Sequence, residues 1–378
     1  MKKAVKSKRV LSFILFFMLS ISLTLTGCYN YREINKITFV TSVIFDRDQY
    51  NNVILYLDCV TPYRNANESS DKGKRVVFGG KGKTALEAIR DIIVQSSNDL
   101  NFTQVRSYIF TEDAAIHGID RYLDLIENNQ EFGYKTYMFV YFGDVKSLIK
   151  VENNDEEYLG LYLDSLIEMN KKNGKVIYNN VSDYLTSSVG IPNVAVMSAI
   201  ELKSDVVEEK VLLNGGVVMK DNHMVARLEE RDTLNYNLLT RRIREGSFQV
   251  SNLNEADKFI TLDILENERN TEIRIEDDRI KLDEVVKVRT SIGEIQGELD
   301  INYSVLEAMN REEEVKLKKS LESFFNDYKD NGIDILRVER LVKERYPKYY
   351  VEDILSKTDI NVSVDIIIDG SSIIKDSR

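Results

Sequence analysis

Thr136-Tyr137-Met138-Phe139-Val140-Tyr141-Phe142, running straight into Gly143-Asp144, is the stretch on which the fold reading turns. An unbroken run of aromatic, β-branched and long apolar residues predicts a strand. Gly143 breaks it, and Asp144 opens a helix carrying Val145, Leu148 and Ile149. Just upstream, Ser107 to Phe110 is another strand, and Thr111-Glu112-Asp113 caps a short helix ending at Gly118. A second helix runs from about Ile119 to Glu127. Strand and helix signals alternate here, but without the regularity of a doubly wound sheet, so the class is α+β.

Working toward the N-terminus, Ile37 to Phe45 and Val53 to Val60 read as two strands joined by the turn material Asp46 to Asn52, a hairpin. Residues 62–74 are polar and read as an exposed loop. Arg75 to Phe78 is a short strand, and Gly79-Gly80-Lys81-Gly82-Lys83 a flexible connection. Thr84 with Glu87 forms a capping box for a helix whose buried stripe is Ala85, Ala88, Ile89, Ile92 and Ile93.

Working toward the C-terminus, 153–157 is an acidic break. Tyr158 to Lys171 and Val181 to Ser187, the latter capped at Asn180, are helices, and Ala195 to Leu202 is a strand. The charged run 204–209 reads as a second boundary. Val211 to Met219 turns at Lys220 to His223 and pairs back through Met224 to Leu228. A helix over about 232–243 precedes strands at Phe259 to Leu265, Thr271 to Ile275 and Val285 to Ile292, a largely antiparallel sheet. Ser304 and Glu307 read as a capping box for a helix with the stripe Leu317, Leu321, Phe324, Phe325 and Tyr328. Ile333 to Tyr346 is a helix stopped before Pro347. Val362, Val364, Ile366 and Ile368 alternate with polar residues, a half-buried strand. The expected architecture is multi-domain, with mixed or antiparallel β-sheets each flanked by helices. The segments are a signal peptide at 1–27, an N-terminal α+β domain at 28–152, a middle domain at 153–208 and a C-terminal α+β domain at 209–378.

The first segment has its own chemistry. Lys2, Lys3, Lys6, Lys8 and Arg9 precede an apolar run from Val10 to Leu25, the basic and hydrophobic regions of a secretory signal. Leu25-Thr26-Gly27-Cys28 completes a lipobox. Its reading is cleavage after Gly27, a diacylglyceryl thioether on the Cys28 thiol and N-acylation of the new terminus. Two or more acyl chains anchor stably where one does not. The mature chain is then expected on the extracytoplasmic face of a membrane.

Removing residues 1–27 leaves 351 of 378 residues, and the formal charge of −11 becomes −16 because that segment holds five cations and no acid. So acidic a body argues against nucleic acid as a partner. Cys28 is consumed by lipid, which leaves Cys59 alone in an apolar run as a small core residue. His117 and His223 lie 106 residues apart without ligand-like neighbours, and no metal is expected. Gly79-Gly80-Lys81-Gly82-Lys83-Thr84 ends as a phosphate-binding loop does. However, Val77 stands where that pattern requires glycine, so nucleotide binding is not expected. No nucleophile elbow or metal motif is present in the sequence, and no cofactor or catalytic residue is assigned.

Several segments, in order, resemble the Ger(x)C family of spore germination lipoproteins, the C subunits of nutrient germinant receptors. Cys28-Tyr29-Asn30-Tyr31-Arg32-Glu33-Ile34-Asn35 is similar to that family's Cys-Trp-x-x-Arg-Glu-Ile-Asn opening, with Tyr29 for Trp. Ile37 to Asp48 resembles the strand and turn that follow. Glu87-Ala88, then Thr111 to Ile119 with Leu123-Asp124, resemble its helix and "E-x-A-x-x-G-I…L-D" signature. Gly215 to Lys220 through Leu228-Glu229-Glu230 resembles "G-x-A-V-F-K…G-x-L…E", departing at Met219 and Ala226. Tyr346-Pro347 and Val362 to Gly370 resemble the family's ending. The resemblance implies three domains, each a sheet flanked by helices, and a lipid anchor on the inner spore membrane. It also implies action with two integral-membrane partners, the A-type and B-type subunits, in a complex that answers nutrients, without catalysis by this chain. The partner surface is expected near the lipid, on the N-terminal domain. The alternative is a substrate-binding lipoprotein of a solute importer. It shares the anchor but would show two lobes of repeated parallel β-α units, whereas the last third here is strand-rich and then helical.

Overall fold

The structure, a computed structural model, describes residues 13–18, 34–62, 73–151, 156–188, 190, 193–204, 209–255, 257–299, 302–349 and 352–371. Two mixed sheets with flanking helices make up the described chain, an α+β architecture. The first sheet is built around the four parallel strands β1 (Ile37–Arg47), β5 (Ser107–Thr111), β6 (Tyr137–Phe142) and β7 (Val194–Ser204). An antiparallel meander extends it at either side. On one side are β2 (Val53–Thr61) and β3 (Lys74–Gly82), and on the other β8 (Glu209–Lys220) and β9 (His223–Leu228). The order is β3-β2-β1-β5-β6-β7-β8-β9, with the short β4 (Asp99–Asn101) beside the start of β1.

Parallel strands require crossovers, and the helices supply them. They are α1 (Ala85–Ile93), α2 (Glu112–Ile116), α3 (Asp120–Asn128), α4 (Val145–Lys150), α5 (Leu159–Asn170) and α6 (Val181–Ser188). The central strands are consequently buried on both faces. Tyr108, Phe110, Met138 and Val140 point into one core with α1, α2, α3 and α6. Ile109, Tyr137, Phe139 and Tyr141 point into the other, against α4 and α5. This explains why 136–142 reads as a continuous apolar run and not as an alternation. The caps read from sequence at Thr84, Thr111, Asp144 and Asn180 each accept the backbone N–H three residues on. Cys59 is a buried core residue.

The connection expected at 79–82 belongs instead to β3. Gly80 and Gly82 let α1 lie directly on the strand, since a Cβ at either would come within 2.4 and 2.6 Å of the Ala88 backbone. Glycine is poor strand material, so the sequence pattern gave no hint of this.

The boundaries expected at 152/153 and 208/209 both fall within this one sheet. β6 pairs with β7 across the first, and Ser204 pairs with Glu209 across the second. Ser204 and Glu209, the described ends of that charged run, are both exposed.

The helix α7 (Glu230–Thr240) leads into the second sheet, β10 (Ser247–Ser251), β11 (Phe259–Glu276), β12 (Arg279–Ile295) and β13 (Thr358–Ser371), in that order. β10 to β12 are antiparallel, while β13 runs parallel to β12. The two strands expected at 259–265 and 271–275 are one strand whose polar middle, Glu266 to Asn270, stays paired through a register shift after Ile264.

A 28-residue helix, α8 (Tyr303–Asp330), covers this sheet along β13. Its N-cap is Asn302, whose Oδ1 accepts the Val305 N–H at 3.0 Å, and not Ser304 as the capping-box pattern suggested. Glu307 pairs with Arg311 instead.

The helix expected over 333–346 is shorter, α9 (Val338–Arg345). Asp334 turns inward and accepts the Val338 and Glu339 N–H groups, both at 2.8 Å, while Arg337 adopts φ 61°. No helix among the described residues is long and apolar enough to cross a membrane.

Candidate functional site

Gly27 and Cys28, the residues expected to carry cleavage and lipidation, lie outside the described residues. The described chain nearest to them is a single 3-10 turn at Ile34–Lys36, which feeds β1 at Ile37. The two histidines, distant in sequence, are neighbours in the fold. A Cβ on Gly118, the residue after His117, would lie 2.7 Å from His223 Nε2. Each imidazole is held locally, His117 Nδ1 against the Asp113 carbonyl and His223 Nδ1 against the Asp221 carbonyl. Among the described residues no group of three or more His, Cys, Asp or Glu side chains is placed to hold a metal ion.

The most developed site lies at the seam between the two sheets, and α7 makes that seam. Its sequence is apolar on opposite sides because it is packed on both. Leu238 and Leu239 share a core with Val194, Val196 and Val218 of the first sheet and with Ile264, Val286 and Val288 of the second. Buried amides stitch the loops around it. Asn237 Nδ2 donates to the carbonyls of Gly174 (2.8 Å) and Val176 (3.0 Å). Asn267 Oδ1 accepts the Ile243 N–H at 2.7 Å. Buried hydrogen bonds of this kind fix one packing arrangement in preference to others.

Beside α7 a cleft of about 530 Å³ opens between α6, α7, the β11–β12 ladder and α9. Its lining includes Arg241, Arg269, Arg337 and Arg340, opposed by two carboxylates, Glu284 and Glu344. Each cation is positioned by a different element. Arg241, just past α7, stacks 4.0 Å from the Tyr178 ring centroid and donates to the Tyr178 carbonyl. Arg269 of β11 donates to the Leu239 carbonyl at 2.6 Å. Arg337 reaches across the seam to the end of α6, donating to Ser187 Oγ and the Thr186 carbonyl, each at 3.3 Å. Arg340 donates to Glu344 at 2.8 Å. Burial, and then the neighbouring Arg340 charge, hold the Arg337 guanidinium below the usual arginine range.

Glu284 of β12 is 2% exposed. Both its oxygens accept from Thr271 Oγ1 at 2.9 Å. Burial pushes its carboxyl up to about 7, against the opposing pull of Thr271 and Arg269. The sequence reading did not find this cleft, because its residues come from separate stretches. One signal was available: in the alternation Ile280, Leu282, Glu284, Val286, Val288, an acid occupies a core-facing position.

Comparison with known proteins places the whole. The family model described as "Spore germination protein N-terminal domain" matches residues 30–202. The model described as "Spore germination B3/ GerAC like, C-terminal" matches residues 214–372. The chain belongs to the Ger(x)C family of spore germination proteins, the C subunits of germinant receptors. Among relatives, spore germination protein GerQC of Bacillus cereus is 24% identical over 250 residues, 66% of this chain and 67% of its own. Spore germination protein KC of Bacillus subtilis (strain 168) is 18% identical over 356 residues, 88% of this chain and 87% of its own. The crystal structure of the GerBC protein shares the fold with a TM-score of 0.55 at 14% identity, covering 86% of this chain and 96% of that one.

Proposed function

We propose that this chain is the lipid-anchored subunit of a nutrient germinant receptor, acting with two integral-membrane subunits, of A-type and B-type, and without catalysis of its own. The observation that carries this reading is the pair of family matches, which between them cover both sheets. The anchor is Cys28, acylated on its thiol and on the amino group freed by cleavage after Gly27, on the outer face of the inner spore membrane. β1 begins nine residues beyond Cys28. Even a fully extended tether therefore keeps the start of β1 within about 30 Å of the lipid. The first sheet, grown around β1, is accordingly the part offered to membrane-embedded partners.

The test is Cys28→Ala in sporulating cells, following spore-membrane retention and nutrient-triggered germination together, with a nutrient-independent germinant as control. Loss of retention and of the nutrient response, with the control intact, is the expected result. A released protein that still supports normal nutrient germination would remove the tether from the reading. Solute uptake would then be the next assay.

A further inference from the structure

The seam cleft is a local reversal of sign. In a chain whose mature part carries a formal charge near −16, four guanidinium groups face one cavity against two carboxylates. Like charges gathered in one place are unfavourable unless something neutralises them. Glu344 is engaged by Arg340, and Glu284 sits deep, hydrogen-bonded to Thr271. Glu344 and the nearby Asp334 act on Arg337 through their charge, but among the described residues no carboxylate is hydrogen-bonded to Arg241 or Arg337. Both of these arginines also retain unused donor capacity: Arg241 Nη1 and Arg337 Nε are buried without a hydrogen-bond partner among the described residues. Buried guanidinium N–H groups are normally satisfied, and the planar fork matches a carboxylate well.

The backbone points the same way. Arg337 sits at φ 61°, a conformation unusual for a residue with a side chain. That conformation is held from both sides, by the Arg337 N–H donating to the Asp334 carbonyl at 3.0 Å and by the guanidinium contact with α6. The cavity volume lies within the range of small-molecule sites. Its floor is different in character from its rim. Thr271 and Glu284 make the floor polar, and an acid there disfavours a second anionic group at depth, while Leu239 and Ile335 supply apolar wall.

We propose that the cleft between α7, α9 and the β11–β12 ladder binds a small organic monocarboxylate. Its carboxylate is held by Arg241, Arg337 and Arg340, and its body, carrying a hydrogen-bonding group, lies toward Thr271 and Glu284. Such a ligand bridges the two sheets, because Arg337 also grips the end of α6. Occupancy of the cleft is therefore coupled to how the two sheets are held together.

The test uses the full-length lipidated protein in detergent micelles at constant ionic strength. Its thermal unfolding midpoint is followed against L-lactate, the neutral isostere lactamide, and inorganic phosphate. L-lactate raises the midpoint in a saturable way, and lactamide and phosphate do not. Arg337→Gln weakens the apparent affinity for L-lactate at least tenfold. Since Arg337 also joins the sheets, Arg340→Gln is the second variant. Among the described residues the Arg340 side chain hydrogen-bonds its helix neighbour Glu344 alone, so its loss leaves the fold intact while still weakening L-lactate several-fold. Equal shifts by L-lactate and lactamide would overturn the proposal. So would a phosphate shift as large as that of L-lactate, no shift with L-lactate, or an Arg340→Gln variant that titrates like the parent.

Discussion

Arg75 donates through Nε to Asp58 Oδ1 at 2.7 Å, and the second carboxylate oxygen of Asp58 accepts the Leu159 N–H at 2.8 Å. A strand of the first sheet, its neighbour and the first turn of α5 are thereby joined at one buried carboxylate, 2% exposed. The remaining Arg75 nitrogens donate to the carbonyls of Val151 (2.9 Å) and Ile149 (3.1 Å), so the same side chain also anchors the end of α4. Removing one partner of a buried pair strands the other, at about 3–5 kcal/mol. Arg75→Ala is expected to lower urea stability by about that amount, with amide exchange at Leu159 accelerating more than in the centre of β6. A loss below about 1 kcal/mol would mean that the pair is not what clamps α5.

Gly160, the second residue of α5, is where that helix meets β1. A Cβ there would lie 2.0 Å from the Thr41 carbonyl oxygen. Helix propensity favours alanine over glycine by roughly 1 kcal/mol. Forcing extra atoms into a packed site costs about 1–3 kcal/mol or more. Here the obstacle is backbone, which cannot rotate away, so the clash outweighs the propensity. Gly160→Ala is therefore expected to lower the unfolding midpoint, and an unchanged or raised midpoint would contradict this packing.

Glu284 makes stability depend on pH in a stated direction. Its carboxyl lies near 7 in the folded chain against an ordinary value of 4.5. Its contribution is complete below the unfolded value and is lost as pH rises through the interval to about 7, because the folded state resists the buried charge more than the unfolded state does. Glu284→Gln removes this dependence. Between pH 5 and pH 8 the variant should gain roughly 2–3 kcal/mol relative to the parent, read from urea midpoints at each pH. A constant difference across that range would show that Glu284 does not titrate there.

The outer edge of β13 is guarded by α8. Glu322 Oε1 accepts the Val362 N–H and Glu314 Oε1 accepts the Ile366 N–H, each at 3.0 Å. Residues 314 and 322 are eight apart, which places both carboxylates on one helix face along the strand. Open strand edges recruit other chains. The double variant Glu314→Ala, Glu322→Ala is expected to show a mass by light scattering that rises with concentration more steeply than that of the parent. An identical concentration dependence would assign the protection to something else.

Local chemistry was legible in the sequence, and pairing was not. The caps at Thr84, Thr111, Asp144 and Asn180 depend on one side chain and a backbone N–H three residues away, so a short window contains them. The turn at Lys220 to His223 is equally local: Asp221 and Asn222 take φ 50° and 61°, as a tight hairpin requires. By contrast, β6 finds β7 across 59 residues, as in the pair Phe139 and Ser198, and no short window records that. Ser304 with Glu307 satisfied the capping pattern, yet Asn302 two residues earlier took the role, because nothing in the pattern says where the chain turns. The seam cleft was hidden for the same reason, with Arg241, Arg269 and Arg337 belonging to separate stretches. Only Glu284, an acid on the buried side of an alternating strand, left a mark that a reader of the sequence could have used.

The order of the first sheet has a consequence for how the chain matures. From β5 onward each new strand settles beside the one made just before it, so that β5, β6, β7, β8 and β9 line up in space as they do in time. The hairpin β1–β2 forms a seed, and the sheet can grow from it by accretion as the polypeptide emerges N-terminus first, with no earlier strand having to be prised apart for a later one. Two edges wait: that of β1 through the 59 residues between Arg47 and Ser107, and that of β6, met only at its start by residues 179–181, through the 51 residues between Phe142 and Val194. A pause in synthesis within the second interval would leave most of the far edge of β6, six consecutive apolar residues, uncovered.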